Sequence, residues 1–284
     1  MSNVGIVVLH DRPLAANLAA DVIHWLEDHG HDVRVPVSDA AVAEGIPARA
    51  VPDDEFARGL DVAVSVGGDG TMLRTFGLVS RCGVPILGIN MGHLGYLTAV
   101  QPAQWQEAVT RVLAGDYGIE ERMTIDVQRL AAGAASEPRT ALNDAVVEKQ
   151  AAGHTVRVAV TLSGQRAISY AADGLIVSTP TGSTAYNLSA GGPVLSPHIQ
   201  ALVVSPVAAH SLFGRSLVVG PEEVVRVEVE TGTAVLGVDG GHGGLLRAGD
   251  VVECRVSEHP ARFVTFGERD FWRVITAKFG LDPR

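Results

Sequence analysis

Apolar and polar positions follow two alternating patterns over the first 120 residues. Apolar runs typical of strands buried on both faces lie at 4–9, 61–66 and 84–90, and residues 32–37 alternate as a strand. Helical spacing appears at 13–29, where Gly30 is placed to end the helix, and again at 71–81 and 104–114. This β-α-β-α order predicts an α/β domain with a doubly wound, mostly parallel sheet over residues 1–120, while 38–60 show no clear pattern.

The pattern changes after about residue 120 to short strand-like segments separated by turn signals. They lie at 123–130, 140–149, 155–162, 175–178, 201–207, 216–219, 224–230, 234–238, 251–256 and 262–266. Their regular spacing predicts an all-β C-terminal domain over residues 121–267. Residues 271–279 return to helical spacing, and we expect the segment 268–284 to pack back on the first domain as a C-terminal helix.

Composition places the chain among ordinary globular proteins and narrows its partners. The 284 residues are 46% hydrophobic and 19% charged, and the net charge of −10 argues against a nucleic-acid partner. No apolar run approaches the ~20 residues of a membrane span, and the N-terminus lacks the pattern of a signal peptide, so we expect a cytoplasmic protein without a membrane partner. Cys82 and Cys254 lack metal-ligand spacing and are expected to be buried small hydrophobes rather than a disulfide.

The first glycine-rich turn, residues 67–71, follows a buried-type strand and opens a helix. Glycines allow a phosphate to approach the backbone closely, and the helix N-terminus offers free amides. Asp69 would repel phosphate, so its presence suggests a general base acting on a hydroxyl, although Asp69 and Thr71 could equally cap the helix. The chain has only two lysines, Lys149 and Lys278, and no P-loop pattern, so phosphate chemistry here must proceed without a P-loop lysine.

Three other segments could carry chemistry. Residues 172–193 run from an apolar strand into a turn rich in hydroxyls and glycines, which suits a polar ligand with several hydroxyls. Asn143 and Asp144 are adjacent polar residues in an apolar strand; they could bind a ribose, a base or a magnesium ion, or mark a bulge or edge position. In the glycine-dense passage 88–97, His93 could touch a ligand or make only a structural hydrogen bond.

Taken together, these motifs resemble the NAD kinase family, in order and over nearly the whole chain. The matching segments are the turn 67–71, the passage 88–97, the Asn-acidic pair 143–144, the segment 173–193, the histidine-to-arginine stretch 209–215, and the Asp-Gly at 239–240. The Gly-Gly-Asp-Gly turn alone is weak, because diacylglycerol, sphingosine and 6-phosphofructo-kinases carry similar turns. The Thr-Pro-Thr-Gly-Ser-Thr-Ala-Tyr segment at 179–186 is highly specific.

The resemblance implies an enzyme that transfers the γ-phosphoryl group of ATP, or of polyphosphate, to the 2′-hydroxyl of the adenosine ribose of NAD. It further implies a site between the two domains, Mg²⁺ offsetting the phosphate charges, and a homodimer or homotetramer. The implied site residues are Asp69 as the base; Gly67, Gly68, Gly70 and Thr71 at the phosphates; Asn143 and Asp144 at the adenosine; Asp173 at the nicotinamide side; Thr184, Ala185, Tyr186 and Ser189 lining the pocket; and His210 and Asp239 as further NAD-binding positions.

The chain departs from the family pattern at a few positions, which leave other functions open. Asp144 stands where most members have Glu, Ala209 and Ser216 replace prolines, and residues 241–244 lack the common Gln or Arg. The alternative is a family paralogue that phosphorylates another adenosine-containing or nucleoside acceptor. A lipid kinase is disfavoured by the segment 179–186, and a dinucleotide-binding regulator without activity is disfavoured by the intact Asp69.

Overall fold

The computed structural model describes residues 1–10, 12–39, 49–92, 95–98, 100–131, 134–151, 154–267 and 270–280. The chain divides into two compact units, Met1–Glu121 with Ala261–Arg284, and Arg122–Pro260. Every helix in the described ranges is too short or too polar to cross a membrane.

The helices and strands follow one another along the chain as β1 (Asn3–Val8), α1 (Pro13–Asp28), β2 (Asp32–Pro36), β3 (Arg49–Val51), β4 (Val62–Gly67), α2 (Asp69–Val79), β5 (Ile86–Asn90), α3 (Trp105–Leu113), β6 (Gly118–Arg122), β7 (Ile125–Ala131), β8 (Ala134–Ala135), β9 (Arg139–Ala141), β10 (Asp144–Lys149), β11 (Val156–Leu162), β12 (Gln165–Ala172), β13 (Gly174–Ser178), α4 (Tyr186–Ser189), β14 (Leu202–Val207), β15 (Leu217–Val219), β16 (Val225–Thr231), β17 (Thr233–Val238), β18 (Gly241–Arg247), β19 (Val251–Val256), β20 (Ala261–Thr265) and α5 (Phe271–Phe279). Short 3₁₀ turns lie at Val37–Asp39, Pro102–Gln104 and Gly182–Thr184.

The first unit is built on a seven-stranded sheet with the order β3-β2-β1-β4-β5-β20-β6. The pairs from β3 through to β20 are parallel. The central strands β4 and β5 are buried along their whole length, as expected when helices cover both faces of a parallel sheet. The predicted α/β domain is confirmed. Strand order reverses between β1 and β4, and ligands of such sheets bind beyond the carboxyl ends of the strands at this switch point.

Strand β20 differs from its expected place. Residues 262–266 were expected in the all-β domain, whereas β20 pairs in parallel with β5 and belongs to the first unit. Phe263 and Val264 are both almost fully buried, although they point to opposite faces. A strand buried on both faces fits the interior of a helix-covered sheet better than the one-sided burial of a two-sheet domain. Helix α5 follows β20 and lies in the same unit.

The second unit consists of two antiparallel sheets, which confirms the all-β C-terminal domain. One has the order β15-β14-β13-β10-β17-β18, and the other has the order β12-β11-β16-β19-β7-β8, with β9 paired to β7. Buried valines and leucines from the strands form one apolar cluster, in which Tyr170 is the largest fully buried side chain. Strands β12 and β18 were missed from sequence, because β12 begins Gln-Arg and contains three alanines, and β18 begins Gly-His-Gly-Gly; Ala and Gly have low strand propensity.

Two local expectations are wrong. Cys82 is exposed and only Cys254 is buried; both are free thiols. The predicted strand 140–149 is interrupted at Leu142 and Asn143, so that β9 and β10 belong to different sheets. The cause of this interruption lies in the carboxylate of Asp239, described below.

Candidate active site

The turn between β4 and α2 depends on glycine for a tight approach. A Cβ at Gly67 would lie 2.1 Å from the Oγ1 atom of Thr71, so a larger residue would collide with the first turn of α2. Gly68 is the N-cap residue and has extended backbone, and no side chain caps the helix there. Among the residues that the structure describes, no side chain caps the first amides of α2, which leaves them open to an anion.

The Asp69 carboxylate does not cap its own helix. Its Oδ2 atom accepts a hydrogen bond from the backbone N–H of Tyr96 at 2.9 Å, and its Oδ1 atom accepts one from Leu97 at 3.0 Å. The side chain is 30% exposed, and the ammonium of Lys278 on α5 lies 3.5 Å from Oδ2. The capping interpretation is therefore wrong. Asp69 is held at a fixed orientation by the segment that follows β5, with part of its surface open to a ligand.

A pocket of about 320 Å³ lies beside this turn, at the carboxyl ends of β1, β4 and β5. It is lined by Leu9, His10, Arg12, Gly68, Gly70, Thr71, Arg74, Met91 and Gly92. This is the switch point of the sheet, where strand order reverses. The pocket combines the two guanidinium groups of Arg12 and Arg74 with the amides that begin α2, so its chemistry suits a phosphorylated ligand.

A fully buried carboxylate, Asp39, organises the wall of this pocket. It pairs with Arg74 and His10 and accepts the backbone N–H of Val8 at 2.7 Å. Arg12 donates to the carbonyl of Met91 at 3.2 Å. These residues were missed from sequence, because Asp39 lies at the start of the segment 38–60, which shows no clear pattern, and no motif marks Arg12 or Arg74.

In the second unit, Asp239 shapes the predicted Asn143-Asp144 pair. Its carboxylate accepts three backbone hydrogen bonds, from Leu142 at 2.7 Å, Asn143 at 2.7 Å and Asp144 at 3.1 Å. Its own N–H donates to the Asp144 carbonyl at 3.0 Å. These bonds stand in for a strand ladder, so the polar pair sits at a break between two strands and β10 begins at Asp144. The structural alternative expected from sequence was a bulge or an edge position; the pair lies instead at a break between two strands of different sheets.

The segment 179–182 packs directly against this break. The hydroxyl of Thr179 donates to the Leu142 carbonyl at 2.5 Å, and its N–H donates to the Asn143 carbonyl at 2.9 Å. A Cβ at Gly182 would lie 2.0 Å from the Asn143 carbonyl oxygen, so only glycine fits. The segment 179–186 and the Asn143-Asp144 pair, both predicted to bind the acceptor, therefore lie side by side in the second unit.

Asp144 carries a carboxyl group whose pKa is strongly raised. Its side chain is only 5% exposed, and burial, with a smaller contribution from the charge of Asp239, raises its pKa from 3.8 to about 7. Burial also raises the pKa of Asp239, although its three backbone hydrogen bonds oppose that shift. Near neutral pH, Asp144 can therefore both donate and accept hydrogen bonds.

The raised pKa predicts that the protein becomes less stable as pH rises. Between about pH 4 and pH 7 the folded chain retains a proton on Asp144 that the unfolded chain has released, so the free energy of unfolding falls across this window and stays low above it. We expect the unfolding temperature to fall by about 5 °C or more between pH 5 and pH 8. Calorimetry of the wild type and Asp144→Asn tests this. An equally steep fall in the variant would contradict the assignment.

A second group of predicted residues surrounds Tyr186. The Tyr186 hydroxyl donates to Glu148 at 3.3 Å, and Asp173 forms an ion pair with Lys149 at 2.7 Å. Burial raises the pKa of Tyr186, and the charges of Glu148, Asp173 and Asp144 raise it further. Asp144, Asp173 and Tyr186 therefore lie in one neighbourhood, whose charge is mainly negative.

The other predicted residues of this segment are placed by a buried amide. Asn187 donates to the carbonyls of Ser183 and Pro193, both at 3.0 Å, and accepts from the hydroxyl of Ser205 at 2.6 Å. These bonds fix the 3₁₀ turn and helix α4, which carry the half-buried Thr184, Ala185 and Tyr186 and the exposed Ser189. His210 is exposed, and its backbone N–H donates to the Ala171 carbonyl at 2.7 Å. His93 lies outside the described residues.

Comparison with known proteins agrees with these features. Residues 4–117 match the model of the ATP-NAD kinase N-terminal domain, and residues 142–266 match that of the ATP-NAD kinase C-terminal domain. The chain is 42% identical to the NAD kinase of Moorella thermoacetica, over 98% of this chain and 89% of that protein. It is 39% identical to the NAD kinase of Heliobacterium modesticaldum, over 98% of both chains.

Two solved structures share the fold. Yeast NADH kinase complexed with NADH superposes with a TM-score of 0.91 at 24% identity, over 100% of this chain and 89% of that one. An NAD kinase from Archaeoglobus fulgidus in complex with ATP gives 0.75 at 26% identity, over 97% and 98% of the two chains.

Proposed function

The chain belongs to the ATP-NAD kinase family, and from that membership we propose that it transfers the γ-phosphoryl group of ATP to the 2′-hydroxyl of the adenosine ribose of NAD, giving NADP and ADP. The observation that carries this proposal is Asp69, whose carboxylate is oriented by two backbone amides beside a pocket suited to phosphate. Relatives named NAD kinase match nearly the whole chain, which favours NAD over another nucleoside as the acceptor.

In the proposed reaction, Asp69 accepts the proton of the 2′-hydroxyl while the 2′-oxygen of the ribose forms a bond to the γ-phosphorus. The bond between the γ-phosphorus and the β–γ bridging oxygen breaks, and that oxygen leaves with ADP. Phosphoryl transfer requires little covalent participation from a protein, so positioning and charge stabilisation carry the catalysis. The amides of Gly68, Gly70 and Thr71 and the nearby Arg12 would hold the donor phosphates. The related Archaeoglobus fulgidus structure, in complex with ATP, supports ATP as the donor.

We assign the acceptor to the second unit. Asn143 and Asp144 would bind the adenosine, and Asp173 would lie towards the nicotinamide. The pocket would be lined by Tyr186 and its neighbours Thr184, Ala185 and Ser189, and His210 would be a further NAD-binding position. Asp239 would act through the backbone of residues 142–144 that it holds, since that segment occupies its carboxylate. The protonated form of Asp144 can donate a hydrogen bond to a nitrogen or hydroxyl acceptor. Because Asp is shorter than Glu, that acceptor must lie closer to the backbone.

A divalent cation, Mg²⁺, would accompany the donor. The described residues contain no group of three or more histidine, cysteine, aspartate or glutamate side chains that could hold a metal ion, so a resident protein site does not fit the structure. An ion bound by the phosphates of ATP is compatible with this, and no step above depends on it.

We also propose a homodimer or homotetramer, for which the exposed Leu212 and Phe213 are candidate contacts.

The test is an NADP-forming assay with purified protein. ATP and NAD are expected to give NADP and ADP in equal amounts, detected by an NADP-specific dehydrogenase and by chromatography. The acceptor is identified by replacing NAD with NADH or with adenosine. The donor is identified by replacing ATP with inorganic polyphosphate. Phosphorylation of adenosine with no formation of NADP would reject the proposal.

A further inference from the structure

Asp69 has a partner that the local sequence does not supply. Lys278, 209 residues further along the chain, places its ammonium 3.5 Å from the Asp69 Oδ2 atom. The same ammonium lies 3.7 Å from the centre of the Tyr96 ring, in a cation–π arrangement. Tyr96 also donates its N–H to Oδ2, so one oxygen of Asp69 is contacted by both residues.

We propose that Lys278 is a catalytic residue that binds the transferred phosphoryl group, an inference that rests on the proposed function. The turn 67–71 lacks a lysine, and α5 supplies one at the carboxylate expected to act as the base. The Tyr96 ring and Asp69 hold the ammonium from two sides and leave 28% of the side chain exposed. The cation is therefore fixed in position yet accessible to a ligand.

The pairing suits a reaction in which negative charge changes place. When Asp69 accepts the 2′-hydroxyl proton, its carboxylate becomes neutral and no longer pairs with Lys278. At the same time the γ-phosphoryl group becomes bonded to the acceptor oxygen and separates from ADP. Lys278, which in this proposal already lies beside the γ-phosphoryl group of bound ATP, can then direct its three N–H donors to the phosphoryl oxygens, and it remains an ammonium throughout.

Loss of the ion pair should change turnover far more than folding. Both side chains are about 30% exposed, and pairs of this kind contribute little to stability. We expect Lys278→Met to lower kcat about 100-fold while KM for NAD stays within about twofold. Lys278→Arg should recover about tenfold of that loss, because it restores the charge with different geometry. Arg273→Met, which removes an exposed cation from the same helix, is the matched control and should keep wild-type kcat.

A measurement without turnover separates this inference from the proposed function. Lys149 and Lys278 are the only lysines, so limited acetylation followed by mass spectrometry reports each amine separately. Saturating ATP with Mg²⁺ should slow acetylation of Lys278 about tenfold or more and leave Lys149 unchanged. Unchanged acetylation of Lys278 overturns the inference, whether or not the wild type forms NADP. A kcat for Lys278→Met within about twofold of wild type also overturns it, whereas a wild type inactive on NAD but protected by ATP rejects only the proposed acceptor.

Discussion

Asp69→Asn lowers kcat for NADP formation by about 1,000-fold or more, while the Kd for NAD changes by less than about threefold. The reason is that the amide cannot accept the 2′-hydroxyl proton, and general-base catalysis contributes on this scale. The residues assigned to NAD binding lie in the second unit and are left intact. Steady-state kinetics and calorimetric titration with NAD measure the two effects separately.

The fold of this variant has to be checked, because both Asp69 oxygens accept backbone hydrogen bonds. The NH₂ group that the substitution introduces would face one of the N–H groups of Tyr96 and Leu97, which costs about 1 kcal/mol of unfolding free energy. Asp116→Asn is a suitable control, since Asp116 is an exposed carboxylate of the same unit, paired with Arg111. Activity of Asp69→Asn within about tenfold of this control would exclude Asp69 as the base.

The features predicted correctly from the sequence are those that residues close together in the chain determine. The β-α-β-α order and the turn 67–71 are local patterns, and the structure reproduces them with small shifts of the element ends. The alternative that the Asp69 carboxylate caps helix α2 also rested only on neighbouring residues. It fails because Tyr96 and Leu97, which donate to that carboxylate, come from the segment after the next strand of the sheet.

What the sequence could not predict depends on contacts between distant segments. The sequence around the turn 67–71 holds no lysine and no P-loop pattern, yet Lys278 on α5, 209 residues from Asp69 in the chain, lies beside its carboxylate. The break at Leu142 and Asn143 has the same origin: apolar alternation predicted one strand, and the acceptor that interrupts it is Asp239, 95 to 97 residues away. Neither pairing leaves a periodic signal in the chain.

Asp239→Ala lowers the free energy of unfolding by about 4 kcal/mol and weakens NAD binding at least tenfold. Three N–H groups, of Leu142, Asn143 and Asp144, lose a charged acceptor, and each unsatisfied buried group costs about 1–3 kcal/mol. Asp239 also has a positive φ of 49°, which Ala tolerates poorly. Relief of the repulsion between Asp239 and Asp144 offsets part of this, but burial contributes more than that repulsion to the shifted pKa of Asp144.

Two further substitutions at Asp239 separate the lost acceptor from the backbone strain. Asp239→Asn keeps Oδ1, which accepts from both Asn143 and Asp144, and tolerates the positive φ, so we expect a loss of only about 1–2 kcal/mol. Asp239→Gly removes the strain together with the carboxylate and should remain close to Asp239→Ala in both stability and NAD affinity. Chemical unfolding and NAD titration of the three variants give the order. If Asp239→Gly were as stable as the wild type, the strand break and the position of Asn143 would not depend on this carboxylate, and its assigned role in shaping the acceptor site would be wrong.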